Sequence, residues 1–347
     1  YPLKWTTSSA TNTNNTTEQS EWNAQNKQKT DDDDENQLSS IKKTPDTEKK
    51  HVHAVYDAIA KQWNHTRGKR GVLWPGATEF VSRLDPGSIV ADVGCGDGKY
   101  FPAIWEAQSF VIGTDISLPL LETTINGCNR DGSNDGPKNR CVAEDREALN
   151  KRPPIAVADC MNLPLRTNGC DAAICIAVMH HLSTEPRRLQ CLRELARIVK
   201  VGGCINVQAW AKEQEATSRR KFNGTDVFVP FNAQPRYLDR VVAEQQKTQK
   251  KSKKKLTSSN EHLNHPHSDD ETKKDNSDTK GVAQIYSEAY DGAEYDESKG
   301  LVVFQRYCHL YRKGELESLV AQLSDRLELI TSGFETGNYF MILRVIG

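Results

Sequence analysis

Asp92, Gly94, Gly96 and Gly98, taken with Asp115, carry the densest chemical information in this chain. Glycines at every second position let a backbone turn sharply and approach a ligand where any Cβ would collide. The apolar run at 89–93 reads as a buried strand and a helical pattern begins after the loop, so the glycines sit at a strand end. A dinucleotide fingerprint needs its third glycine one position later, to bring a helix close under a pyrophosphate, and that position is Lys99. Asp115 follows a second apolar run at 110–113, where a carboxylate can accept both hydroxyls of a ribose. An adenosine compound without a phosphate bridge fits this set best. Asp159 and Cys160 follow a third apolar run at 155–158, where Asp159 can cap a helix N-terminus.

The elements that must hold these residues alternate in type. Val52, Val55, Tyr56, Ile59 and Trp63 recur at helical spacing and give an amphipathic entry helix. Strands are expected at 89–93, 109–114, 155–158, 172–178 and 204–209, with a helix near 118–126. The fourth is continuously apolar, as a parallel strand covered on both faces should be. Thr184 and Pro186 open a helix striped by Leu189, Leu192, Leu195, Ala196 and Val199, and Gly202-Gly203 is expected to end it. Leu316, Leu319, Val320 and Leu323 mark a last helix. Apolar segments at 326–330 and 339–346, joined by Thr-Ser-Gly-Phe-Glu-Thr-Gly-Asn, read as an antiparallel hairpin. Ligands on such sheets bind beyond the carboxyl ends of the strands, which places Gly94, Asp115, Asp159, His180 and His181 along one rim.

Composition limits the ordered part. Residues 1–50 are rich in Thr, Asn, Gln, Asp and Lys and read as a disordered polar tail. A low-complexity insertion at about 245–280 interrupts the remaining domain, 51–347, and a polar insert delays the third strand. Net charge is −1, so affinity for nucleic acid must come from local patches. The six lysines between Lys247 and Lys255 read as a solvated linker, with phosphate neutralisation as the alternative. No stretch reaches the roughly 20 apolar residues of a membrane helix, and no signal-peptide block opens the chain. A soluble protein of the cytoplasm, or also the nucleus, is expected. The nine cysteines show no Cys-x-x-Cys spacing, which points to a reducing compartment and no metal site in this chain.

The run Asp92-Val-Gly94-Cys-Gly96-Asp-Gly98 closely resembles the S-adenosylmethionine loop of class I methyltransferases. That resemblance implies an α/β, Rossmann-like seven-strand sheet with a C-terminal antiparallel hairpin. It also implies cofactor contacts at Asp92, Gly94, Gly96, Gly98, Asp115, Asp159, Cys160 and Ile176. Four further segments narrow it: His51-Val-His-Ala-Val-Tyr-Asp, Thr66-Arg67 with Lys69 and Trp74-Pro75, Asp226-Val-Phe-Val-Pro230, and 306–316 from Arg306 to Leu316. Together they resemble the eukaryotic tRNA wobble-uridine carboxyl methyltransferases and the methyltransferase domain of the AlkB-homologue tRNA enzyme. Phe231 stands where tryptophan is usual, Cys308 where tyrosine is usual, and the insert at 127–152 is longer than expected.

That family resemblance implies methylation of the carboxylate of carboxymethyluridine at the tRNA wobble position. Arg67 and His180 are then assigned to the reacting or the cofactor carboxylate. Lys69, Trp74, Arg219, Arg220, Arg306, Tyr307, His309, Tyr311 and Arg312 are assigned to the nucleoside, its neighbouring bases and phosphates. Implied partners are a tRNA anticodon stem-loop and a small zinc-containing activator subunit forming a heterodimer, with no membrane. His181 reads as a structural histidine. The alternatives are methylation of a small carboxylic acid or quinone precursor, and a non-catalytic tRNA-binding paralogue.

Overall fold

Neighbouring residues along the central strands enter different cores, which is why those strands are apolar without alternation. Ala91, Val93, Ala173, Cys175, Ile205 and Val207 face one core, under the helices Glu185–Ile198 and Glu315–Ala321. Val90, Ala172, Ile174 and Ile176 face the other, under Pro75–Ser82 and Phe101–Glu106. The computed structural model describes residues 38–70, 73–128, 153–215, 218, 220–238 and 277–347. Thr44–Gly347 forms one unit, and the short helical stretch at 38–42 belongs to a separate one.

The strands are β1 (Ile89–Val93), β2 (Phe110–Asp115), β3 (Ile155–Val157), β4 (Cys170–Ile176), β5 (Val199–Trp210), β6 (Asp226–Ala233), β7 (Glu294–Asp296), β8 (Leu301–His309), β9 (Leu327–Glu335) and β10 (Asn338–Val345). Seven form one sheet in the order β3-β2-β1-β4-β5-β10-β9. Its first five strands are parallel, and β10 runs antiparallel to both β5 and β9. This is the expected class I plan. A second sheet, β6-β8-β7, was not anticipated. It packs through Val302, Phe304 and Ala233 on Val55 and Ile59 of the entry helix Ala54–Arg70, making a third small core.

Three boundaries differ from expectation for identifiable reasons. Gly202 and Gly203 do not end a helix but lie inside β5, where its pairing with β4 shifts register between Cys170 and Ala172. A Cβ on Gly203 would lie 2.5 Å from the Asp171 carbonyl oxygen, so the glycines serve a bulge. The hairpin connection is shorter than the eight residues expected. Thr336 and Gly337 have φ of 47° and 75°, the two-residue turn whose twist suits antiparallel strands. Finally, the ordered domain begins before residue 50. Asp46–Glu48 and the wide turn Lys49–His53 lead into the entry helix, and Glu48 is buried against Arg187. Its ordering partner is distant in sequence, so the local composition carries no sign of it.

The rest of the expected tail, the polar insert at 129–152 and the insertion at 239–276 lie outside the described residues. The helix Ser277–Ala289 takes up the end of the expected insertion. Among the described residues no helix is long and apolar enough to cross a membrane.

Candidate functional site

The carboxyl ends of β1, β2 and β4 open into a cleft of about 700 Å³, closed on its far side by the entry helix and the second sheet. Its cofactor half is acidic. Gly94, Gly96 and Gly98 all have positive φ, at 74°, 57° and 73°. A Cβ on Gly94 would sit 2.2 Å from Val178 Cγ2, so the first turn is closed to any other residue. Asp115, at the tip of β2, accepts N–H bonds from Gly96 and Ser117, each at 2.9 Å. These bonds tie the glycine loop to the second strand. Burial raises the Asp115 pKa to about 6 even though both N–H groups favour the anion.

Asp92 is 2% exposed and its Oδ2 has no hydrogen-bond partner among the described residues. Burial, then the nearby Asp115 and Asp97 charges, push its pKa to about 8. An unmatched buried carboxyl in a glycine cradle calls for a cationic, hydrogen-bonding ligand. S-adenosylmethionine, with its ribose diol, ammonium group and sulfonium, fits. Asp159 accepts the Met161 N–H at 3.0 Å, so it does cap a turn, and Cys160 and Ile176 line the same half of the cleft.

The acceptor half is basic and aromatic. Arg306 is 7% exposed and its Nε has no hydrogen-bond partner among the described residues. Its guanidinium lies 5.4 Å from the Trp63 ring centre and 5.6 Å from that of Phe231. Arg220 sits over Trp210 at 4.6 Å. Partial burial and the neighbouring Arg306 charge both hold the Arg220 pKa below its ordinary value. Neither arginine has an ion-pair partner among the described residues. Two guanidiniums without a carboxylate, on aromatic walls, make a receptor for an anion.

His180 stands between the halves. Ala177, just past β4, has a φ of 63° and swings the chain off the sheet into the turn Met179–His181. The His180 ring stacks on Trp210 at 5.1 Å, and its Nδ1 accepts the Trp210 N–H at 3.4 Å. His181 is held at both nitrogens, by the Tyr56 hydroxyl at 2.9 Å and the Tyr307 carbonyl at 2.8 Å. It is the structural histidine that its position implied.

Several sequence assignments are corrected here. Tyr307, His309, Tyr311 and Arg312 do not line the cleft. The Tyr307 hydroxyl donates to Asp226, and Tyr311 is fully buried with its hydroxyl on the Met179 carbonyl. His309 is gripped by Asp226 at 3.0 Å and Glu315 at 2.6 Å, a clamp joining β6, β8 and the helix Glu315–Ala321. Alternation along β8 explains the split, since Arg306 faces the cleft while its neighbours turn away. Trp74 lines the cleft as expected. Arg67 and Lys69 fall on the last turn of the entry helix with side chains outside the described residues, and Arg219 lies outside them altogether.

Residues the sequence reading missed are Glu48, His53, Trp63, Trp210 and Arg187, all in the cleft wall. Glu48 and Arg187 form a buried pair at 3.0 Å, and Glu48 also accepts the backbone N–H and hydroxyl of Ser183. Arg187 lies 3.7 Å from Asp159. The available signal was a charged Arg187 at helical spacing from Cys191, Leu195 and Ile198, all buried.

A family model described as a methyltransferase domain matches residues 91–207. The chain is 44% identical over 181 residues to the tRNA (carboxymethyluridine(34)-5-O)-methyltransferase of Arabidopsis thaliana, covering 52% of this chain and 38% of that protein. It is 28% identical over 303 residues to the protein of the same name from Schizosaccharomyces pombe, covering 85% of this chain and 96% of that one. Among several other curated relatives the chain spans as little as 23% of the full length. The structure of the CcbJ methyltransferase from Streptomyces caelestis superposes with a TM-score of 0.51 at 14% identity, covering 85% of this chain and 99% of that one. The strand order, the glycine loop with its carboxylates and the structural likeness together lead to one assignment: the chain has the class I S-adenosylmethionine-dependent methyltransferase fold, and its sequence is similar to the tRNA wobble-uridine carboxyl methyltransferases.

Proposed function

We propose that this chain methylates the carboxylate of carboxymethyluridine at the wobble position of tRNA, giving the methyl ester. The observation that carries this reading is Arg306: a buried guanidinium with an unmatched Nε, set between Trp63 and Phe231 and facing the acidic cofactor half across one cleft. When bound, S-adenosylmethionine would supply the sulfonium methyl group, which a carboxylate oxygen attacks while the neutral thioether leaves. A carboxylate is already ionised near neutral pH, so no general base is required. Arg306 and Arg220 hold the acceptor anion by charge-assisted hydrogen bonds. The stack on Trp210 fixes the plane of His180, and the Trp210 N–H on its Nδ1 leaves the ring proton on Nε2. Opposite charges cancel as the O–C bond forms and the S–C bond breaks. The aromatic walls, by excluding water, therefore favour the transition state.

The partners follow the same reading. An anticodon loop presents unstacked bases to the aromatic residues at the mouth of the cleft. The small zinc-containing activator subunit belongs at the open β3 edge of the main sheet, where Phe110, Val157, Ile116 and Leu118 are exposed.

The experiment labels tRNA with a radioactive methyl donor and treats it with mild alkali. An ester releases its label as methanol, whereas methyl groups on ring nitrogen or ribose oxygen stay on the RNA. Release of most of the label, confined to tRNA carrying the carboxymethyl precursor, is the expected outcome. Retention after alkali overturns the reading.

A further inference from the structure

Behind the acceptor half, His180 meets two side chains, His181 and Cys308, that have no part in the methyl transfer described above. One ring nitrogen of His180, one of His181 and the Sγ of Cys308 lie within 4.8 Å of one another, and all three residues are buried. Cys308 Sγ is 3.9 Å from His181 Nδ1. In a tetrahedral zinc site with Zn–S about 2.3 Å and Zn–N about 2.1 Å, those two ligand atoms stand roughly 3.5 Å apart. This edge is therefore close to the ligated geometry already. The widest edge closes by roughly 1 Å, within reach of small ring and thiol rotations.

The chemistry of the donors is selective. Two imidazoles and a thiol suit borderline-soft divalent ions and disfavour magnesium or calcium. Three protein ligands leave a fourth position, and because both histidines line the cleft that position has a route to solvent. An orienting partner is in place, since the Tyr56 hydroxyl lies 2.9 Å from His181 Nε2. In the present state His181 Nδ1 donates to the Tyr307 carbonyl at 2.8 Å. Ligation gives up that bond: the ring proton moves to Nε2, which then donates to Tyr56, and Cys308 releases one proton to solvent. Burial pushes the Cys308 thiol up to about 12, with Arg306 and Arg220 pulling against it, so the ion itself must draw off that proton.

We propose that His180, His181 and Cys308 form a binding site for a soft divalent cation of the zinc class, whose occupancy blocks the acceptor half of the cleft. The binding claim is independent of the reaction proposed above, whereas the block rests on it.

The test uses the full chain, with any co-purified partner, after chelator treatment. Cobalt(II) titrated into it is expected to give one equivalent of a thiolate-to-cobalt absorption band, removed by zinc. Cys308→Ser and His180→Gln are each expected to lose that band, while Cys160→Ser keeps it. Circular dichroism of each variant separates loss of the site from loss of the fold. For the second half, Cys308→Ser without metal is expected to retain methyl transfer within about twofold of the parent. Zinc that halves parent activity then leaves this variant unaffected. A band that survives in Cys308→Ser, or no band in the parent, overturns the site. Binding without any loss of activity overturns the block. A chain inactive on every tRNA still reports the cobalt band, so failure of the reaction and failure of the site are distinguishable.

Discussion

The two halves of the cleft are built in opposite ways. The cofactor half takes its carboxylates, Asp92 and Asp115, from the tips of adjacent parallel strands of one sheet. The acceptor half takes Trp63 from the entry helix, Phe231 from β6 and Arg306 from β8, segments far apart in the chain that meet only because the second sheet packs on that helix. One half sets Asp92 and Asp115 and the other sets Arg220 and Arg306, and none of these four has an ion-pair partner among the described residues. A cation and an anion brought together between them are held apart from water until they react. The contrast also explains why one half is compact in sequence: a loop that must follow a strand closely has few ways to be written, whereas an anion receptor needs only donors that converge in space.

The largest effect is expected from Arg306→Met, which keeps bulk and removes the charge. Two charge-assisted hydrogen bonds at roughly 1.5 kcal/mol or more each place the loss in kcat/KM near 100-fold. The affinity for S-adenosylmethionine measured by calorimetry stays unchanged. Asp115→Ala should do the reverse, weakening cofactor binding by at least about tenfold through lost ribose bonds to a charged acceptor. If either variant impairs both halves equally, the division of labour is wrong.

A smaller effect, of opposite sign for stability and for binding, comes from pH. Asp92 titrates near 8 and Asp115 near 6 in the folded chain, both raised above the ordinary value of 3.8. The folded state holds more protons than the unfolded one in that window, so the ligand-free chain loses stability as pH rises from about 4 to about 8. A cation prefers the ionised carboxyls, so cofactor affinity should climb between about pH 6 and 8. Asp92→Asn is expected to flatten both trends, read by denaturant midpoints and by calorimetry. A parent whose cofactor affinity is level across that range would refute the role given to Asp92.

The smallest kinetic effect is expected from His309→Gln. His309 is clamped by Asp226 and Glu315 outside the cleft, so its loss should cost about 1–3 kcal/mol of stability while kcat/KM stays within about twofold. A large rise in KM for tRNA with unchanged stability would return His309 to the substrate site.

The main sheet was legible because buried parallel strands must be apolar on both faces, as residues 89–91 and 172–178 are. The cofactor loop was legible because positive φ and the close approach of Val178 leave glycine little competition at Gly94. The 306–312 segment showed how a local reading fails: its Arg, Tyr and His residues look like one basic cluster, yet strand alternation sends Arg306 into the cleft and gives Tyr307 and His309 to the Asp226 network.

By itself, then, the sequence determined where the central strands lie, the glycine turn and the carboxylates at the strand tips, since each depends on neighbours within a few residues. Only the tertiary structure decided which cations face the acceptor, that Glu48 is buried on Arg187, and that Cys308 stands beside two histidines. Those facts depend on which distant side chains exclude water from one another, and no local pattern of residues encodes that.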